Sequence, residues 1–327
     1  MAQSRISPQV LSKVVELACR APSVHNSQPW RWIAEDGLLR LFFDPHRAPH
    51  ATDPSGREAI ISCGALLDHL RVAAAGAGWH THVAHFPNPN DLDHLATINF
   101  HPSQGVTTEE TTRADAIRRR RTDRLPFAAP LDWPAVEMLL QEVVDPQKSV
   151  LQVVPESARP KLAEASQLAE TLRREDPYYH AELRWWTAAS ESAEGMPYET
   201  LTATDERDRV EVAREFPDGG ESGRRPEVDR DRSVIVVLST RGDSRREALG
   251  CGETLSAVLL EATMADLATC TLTHLTELAA SRDIIRRLTG GDADPQLLIR
   301  IGLVPDSDEP PVPTHRRPPA EVLEIRR

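Results

Sequence analysis

The chain repeats a long segment of itself. Arg57-Glu58-Ala59 followed by Cys63-Gly64 returns as Arg246-Glu247-Ala248 followed by Cys251-Gly252, with one residue fewer between the anchors. Beyond Cys-Gly the match runs without a gap, pairing Leu67 with Leu255, Leu70 with Val258, Ala74 with Ala262 and Ala77 with Ala265. A unit present twice constrains the fold strongly, because each copy has the same apolar face to bury. Alanine and glycine at the shared positions suit a helix that passes close to another element. Two central, tightly packed helices are expected, one per copy, in an internally duplicated α+β fold.

The surrounding pattern fits two series of elements. In the first, a helix over 8–20 is bracketed by Pro8 and Pro22, strands over 30–34 and 38–43 flank the turn Glu35-Asp36-Gly37, the repeated helix spans 57–78, and a strand covers 95–100. In the second, a helix starts at Trp133, a strand covers 150–154, and a helix starts at Ala158. A strand over 233–240, the repeated helix over 246–266 and a strand over 296–304 complete it. This divides the chain into a first repeat at 1–112 and a second at 113–327. The second carries an insertion at about 176–232, with Tyr178, Tyr179, Trp185, Trp186 and Tyr198 in its first half and a glycine-rich polar run, Asp218 to Pro226, in its second. So long a segment reads as a lid or a linker: the aromatic half packs on something, and the glycine-rich half is a flexible surface loop.

Composition removes several classes of function. Acidic residues outnumber basic ones 50 to 38, a net charge of −12, which leaves no electrostatic footprint for general nucleic-acid binding. An anionic ligand must then be held by local clusters of cations. No run approaches the roughly 20 apolar residues that span a bilayer, so no membrane role is expected. The N-terminal Met1-Ala2-Gln3-Ser4-Arg5 has no signal core. Cys19, Cys63, Cys251 and Cys270 stand singly in apolar surroundings, which suits reduced thiols and a cytoplasmic protein. His80 and His82 share a strand face but have no acid or cysteine nearby, so no metal site is expected. No glycine-rich dinucleotide or phosphate loop is present, so a nicotinamide would not sit in a Rossmann domain.

The strongest local signal is Ala21-Pro22-Ser23-Val24-His25-Asn26-Ser27-Gln28-Pro29-Trp30. It is a helix end, then an irregular stretch dense in small hydrogen-bonding side chains, then an aromatic leading into a strand. Ser23, Asn26 and Gln28 offer donors and acceptors at fixed positions, either to a ligand or to the loop's own backbone. A second signal is Arg118-Arg119-Arg120-Arg121-Thr122-Asp123-Arg124. Four consecutive arginines in an acidic chain either grip an anion through bidentate guanidinium contacts or form a solvated helix end.

The string Ala-Pro-Ser-x-x-Asn-x-Gln-Pro-Trp resembles the signature of the FMN-dependent nitroreductase family. Together with Leu17-Ala-Cys-Arg-Ala-Pro-Ser, Gln28-Pro-Trp-Arg-Trp-Ile-Ala-Glu-Asp and Thr271-Leu-Thr-His-Leu-Thr-Glu-Leu, it is most similar to the Acg-type, dormancy-associated NAD(P)H nitroreductases of actinobacteria. The resemblance implies a nitroreductase-like fold, with one chain mimicking the usual homodimer and FMN bound between the halves. It assigns Pro22, Ser23, His25, Asn26 and Gln28 to the flavin. It likens Arg120, Arg121, Thr122 and Arg124 to the Arg-Arg-Ser-x-Arg that opens most members, with Thr122 in place of serine, and Arg316 and Arg317 to the basic C-terminal segment that meets the FMN phosphate. A frayed tail is the other reading of that segment. Thr271, Thr273 and His274 are placed near the ring, Thr273 and His274 at its reactive edge.

Each cluster occurs once. The implied stoichiometry is one FMN per chain, in a monomer that is itself a pseudo-dimer and is free to oligomerise further. Two functions follow equally. One is an oxidoreductase that takes hydride from NAD(P)H and passes it to a small nitro or quinone acceptor. The other is an FMN-sequestering or storage protein, in which the aromatic insertion covers the flavin.

Overall fold

The computed structural model describes residues 5–187, 195–217, 219–220, 222–305, 308 and 313–326. The first half runs α1 (Pro8–Ala18), β1 (Trp30–Glu35), β2 (Leu38–Phe43), α2 (Arg57–Gly76), β3 (Trp79–His85), β4 (His94–Pro102) and α3 (Thr108–Arg119). The second continues with α4 (Trp133–Glu142), β5 (Val150–Val153), α5 (Arg159–Arg173), α6 (Pro177–Thr187) and α7 (Thr204–Arg207). After these come β6 (Val234–Thr240), α8 (Arg245–Met264), β7 (Ala268–Leu272), α9 (His274–Glu277), α10 (Ala279–Leu288), β8 (Asp294–Gly302), α11 (Pro319–Val322) and β9 (Leu323–Ile325).

The strands form two sheets, β3-β4-β2-β1-β9 and β5-β6-β8-β7. α2 and α8 are the repeated helices, and both are buried over most of their length. They cross where the two matched Cys-Gly anchors meet. A Cβ on Gly64 would collide with the Leu249 carbonyl oxygen and the Gly252 Cα, and one on Gly252 with the Ile61 carbonyl oxygen. Only glycine permits that approach, which accounts for the residue at both positions. The main core joins the two helices to α1 and to residues from both sheets; a smaller one gathers around Phe127, Leu162, Val237, Leu275 and Leu298. Capping boxes start α8 (Ser244 with Glu247) and α3 (Thr107 with Glu110).

Three expectations need correction, and one alternative reading falls. α2 is long and apolar enough, by length and composition, to cross a membrane, although no such stretch was expected; here it is the central core helix, with 72% of its apolar window buried. The boundary at 112 falls inside α3, so it is not a break between elements. The C-terminal segment is not a frayed tail: β9 pairs in parallel with β1, Trp32 opposite Leu323 and Ala34 opposite Ile325, so the end of the second series completes the first sheet. It closes an edge whose backbone groups would otherwise be open. The glycine-rich run is not a loose surface loop where it is described (218 and 221 lie outside the described residues). Arg225 is buried and paired with Asp123 at 2.5 Å and Asp308 at 2.6 Å, and Arg224 is paired with Glu206 at 2.6 Å.

Candidate functional site

The polar stretch after α1 folds as a strained loop. His25, Asn26 and Gln28 all have positive φ, at 50°, 56° and 51°, a conformation costly for side chains with a Cβ. A dense set of bonds holds it. The Ser23 hydroxyl accepts from the Gln28 amide at 3.1 Å, the Ser62 hydroxyl on α2 accepts from the Val24 amide at 3.1 Å, and the Gln28 side chain donates to the Asn26 carbonyl and accepts from the Arg317 amide at 2.9 Å. Asn26 donates to the carbonyls of Gly195 and His315, at 2.8 and 3.1 Å. The loop therefore ties α2, the insertion and the C-terminal segment to one point.

This loop forms the shared wall of two adjoining hollows. Pro22, Ser23, His25, Thr122, Arg124 and Met196 line both, so the two make one continuous cleft with unlike ends. One end is largely apolar, walled by Ile61, Leu255, Leu272, Leu297 and Phe216, with Thr271, Thr273 and His274 on its rim. The other is lined by Arg20, Arg120, Arg121, Arg124 and Arg316, and among the described residues no carboxylate lines it.

The chemistry of the basic end is unusual. Arg316 donates to the carbonyls of Arg20 and Ala21 at 3.2 and 3.3 Å, and Arg120 to that of Arg20 at 3.3 Å. Carbonyl oxygens align guanidinium groups but do not neutralise them. Nε of Arg20, Arg120, Arg121 and Arg316 is buried without a hydrogen-bond partner. Burial, then repulsion from Arg120 and Arg20, pushes Arg316 down to about 9; burial, then Arg121 and Arg20, pushes Arg120 down to about 10. Such a cluster is unfavourable alone and becomes favourable when a polyanion enters it. By contrast, Arg300 and Arg214 at the other end have built-in partners in Asp231 (2.6 Å) and Glu277.

The Thr273 hydroxyl accepts from Arg214 at 3.0 Å and donates to Glu277 at 3.1 Å. His274 is buried and shares a 2.8 Å bond with the Ser166 hydroxyl, while its Nδ1 has no partner. Burial, followed by the charge of Arg214, holds its pKa well below the usual histidine value, so the ring is neutral.

Of the residues singled out in the sequence, Pro22, Ser23, His25, Asn26, Arg120, Arg121, Thr122, Arg124, Thr271, Thr273, His274 and Arg316 come together on the cleft. Two do not. Gln28 is fully buried and spends its amide on the loop, and Arg317 turns away to Glu321, at 3.4 Å from Nε to carboxylate. None of the five Tyr and Trp side chains of the insertion lines the cleft: Tyr179 is buried beneath it, accepting from Arg214 at 2.8 Å, and Tyr178 and Trp185 are exposed. The insertion contributes Met196, Thr202, Arg207, Val210, Ala213 and Phe216 to the lining instead. Phe216 stacks under Arg124, with 5.1 Å from guanidinium carbon to ring centre. Sequence reasoning missed Arg20, Glu58, Arg214, Phe216 and Arg300. Arg20 stands next to the signature and was within reach; the others are recognisable only beside partners distant in the chain. Among the described residues no group of His, Cys, Asp and Glu gathers to hold a metal, and all four cysteines are free and buried.

No family model matches the chain. The protein named "Putative NAD(P)H nitroreductase acg" of Mycobacterium tuberculosis is 54% identical over all of this chain and 98% of its own length. A second M. tuberculosis protein with a "Putative NAD(P)H nitroreductase" name is 36% identical over 97% of this chain and 91% of its own. Among solved structures, a "putative nitroreductase" from Anabaena variabilis superposes over 91% of this chain and 88% of its own, with a TM-score of 0.54 at 10% identity, a likeness of fold alone.

Proposed function

Because the chain belongs to the acg-type NAD(P)H nitroreductase family, we propose that its cleft binds one FMN, as an oxidoreductase of nitroreductase type. The carrying observation is the carboxylate-free arginine end continuous with an apolar end. An elongated ligand with a dianionic phosphate at one end and a flat apolar ring at the other complements that gradient. Arg20, Arg120, Arg121 and Arg316 hold the phosphate through charge-assisted bonds that satisfy their orphaned Nε groups. Ser23, His25 and Thr122, at the junction, face the polyol chain. Ile61, Leu255 and Leu297 exclude water from the ring, and Thr271, Thr273 and neutral His274 orient its edge.

Bound FMN supplies the chemistry of accepting hydride from NAD(P)H and giving it to a small nitro or quinone compound. The protein contributes binding, orientation and a low-dielectric wall. The single set of clusters among the described residues supports one FMN per chain. Titrating the purified chain with FMN tests this: the expected end point is one equivalent of bound flavin per chain, and none would remove the reading.

The residues lining the apolar end from 196–216 favour a second reading, in which access to the ring is restricted and the protein sequesters FMN with little turnover. Anaerobic NADPH separates the two: prompt bleaching of bound flavin supports the oxidoreductase, and persistent absorbance supports sequestration.

A further inference from the structure

Glu58 stands in a partition. Among the described residues it alone lines both the cleft and a separate hollow on the other side of the N-terminal turn of α2. That outer hollow reaches solvent past the exposed Pro54, Ser55 and Ala279. Glu58 itself is 2% exposed, and its Oε2 is buried with no hydrogen-bond partner. Oε1 meets only the Arg57 guanidinium, at 3.5 Å. Arg57 bonds more closely elsewhere, to the Thr276 carbonyl at 2.8 Å and the Gln296 side chain at 3.1 Å. Glu58 is thus a buried acid facing the cleft with almost no compensation, an arrangement that stability alone does not favour.

The outer hollow holds four more carboxylates: Asp243 and Asp283, paired with Arg282 and Arg286, and, nearer Glu58, Asp53 and Glu277. Asp53 accepts from the Ala59 amide at 2.9 Å, and Glu277 is paired with Arg214. Around Glu58, then, Glu277 and Asp53 oppose its ionisation, and Arg57 and Arg214 favour it. Burial, followed by Glu277 and Asp53, wins and raises its carboxyl well above the usual range, which favours the protonated form.

We propose that Glu58 relays protons between the solvent-facing Asp53–Glu277 hollow and the interior of the cleft, a role that rests on the FMN reading above. The chemistry requires such a route. When a quinone is reduced at the expense of NAD(P)H, the hydride carries the electron pair and leaves NAD(P)+, and a proton from water completes the second hydroxyl. Glu58, which lines the largely apolar end of the cleft, is placed to supply that proton. Glu58 breaks its O–H bond towards the cleft and is reprotonated from the outer hollow.

The test uses the full-length chain loaded with FMN, beside Glu58→Gln and Glu277→Gln. Infrared spectra across a pH series should show a carboxylic-acid carbonyl band in the wild type at neutral pH that is missing in Glu58→Gln. In Glu277→Gln the band should titrate at lower pH, because one opposing charge is gone. Reoxidation of photoreduced FMN by a soluble quinone should slow on the order of 10²-fold in Glu58→Gln and lose its pH dependence. A band that survives Glu58→Gln overturns the assignment, and a lost band with unchanged reoxidation overturns the relay. The band is also read without flavin, so failure to bind FMN sinks the function proposed above and leaves this measurement interpretable. Should Glu58→Gln not fold, the Glu277→Gln shift decides: no shift overturns the proposal.

Discussion

Two clusters of cations lie in this protein, and they are built on opposite plans. Around Glu253 on α8, two cations and a histidine share one buried carboxylate: Arg71 and Lys148 at 2.6 Å and His85 at 3.0 Å. Burial alone would raise that carboxyl, yet His85, Arg71 and Lys148 bring it below its usual range. At the basic end of the cleft, five arginines converge and, among the described residues, no carboxylate lines the hollow. The first cluster contains its own counter-charge and is complete as folded. The second lacks one, and burial, followed by repulsion from neighbouring arginines, lowers the basicity of Arg120, Arg121 and Arg316. The difference teaches how a ligand site is distinguished from scaffold in an acidic chain: by cations that the fold orders and leaves without an anion.

Breaking the complete cluster should have the largest effect. Glu253→Ala leaves Arg71, Lys148 and His85 around a buried void and should cost about 3–5 kcal/mol in urea unfolding. The sign with pH follows from the lowered carboxyl: its contribution is present above the ordinary value of 4.5 and is lost as pH falls through the folded value. Wild type should therefore weaken on acidification over that window more than Glu253→Gln does. Equal acid sensitivity in the two would show that Glu253 is not the anchor described.

The incomplete cluster should behave in the reverse way. Arg120→Ala with Arg316→Ala should leave the flavin-free fold as stable or slightly more stable, because repulsion is relieved. The same pair should weaken FMN by roughly 1.5–3 kcal/mol for each lost charge-assisted bond, with riboflavin little affected. Equal weakening of both ligands, read by flavin fluorescence, would mean that the arginines act through the fold.

Inorganic phosphate probes the same end without the ring. It should raise the melting temperature of the flavin-free chain, by about 2.7 kcal/mol of stabilisation at a hundredfold excess over its Kd, and not do so in the double variant. The smallest effect is expected at Arg317, whose guanidinium bonds the partly exposed Glu321, through its carboxylate and its carbonyl. Arg317→Ala should cost under about 1 kcal/mol and leave FMN affinity unchanged. A phosphate-specific loss at Arg317 would return it to the site.

Much of this was legible from residues alone, for reasons that differ by region. α2 and α8 were found because a helix that must approach another within glycine distance accepts few residues, so Cys-Gly repeats at both crossings. The loop at 22–28 was found because its strained backbone is held by short polar side chains that leave a fixed signature. Arg316 and Arg317 stand adjacent and are chemically identical, and only the fold separates them. The C-terminal segment runs into β9, and its direction there sends one guanidinium to the cleft and the other to Glu321.

By itself the sequence determined the paired central helices, most strands, the family and the loop beside the cleft, since periodicity and small-residue patterns are local consequences of packing. Tertiary structure alone decided which arginines lack a counter-charge, which part of the insertion lines the cleft, and that Glu58 divides two hollows. Those are properties of distance and burial between residues far apart in the chain. Arg214 meets Glu277 across 63 positions and Arg225 meets Asp123 across 102, and no local pattern records such pairings.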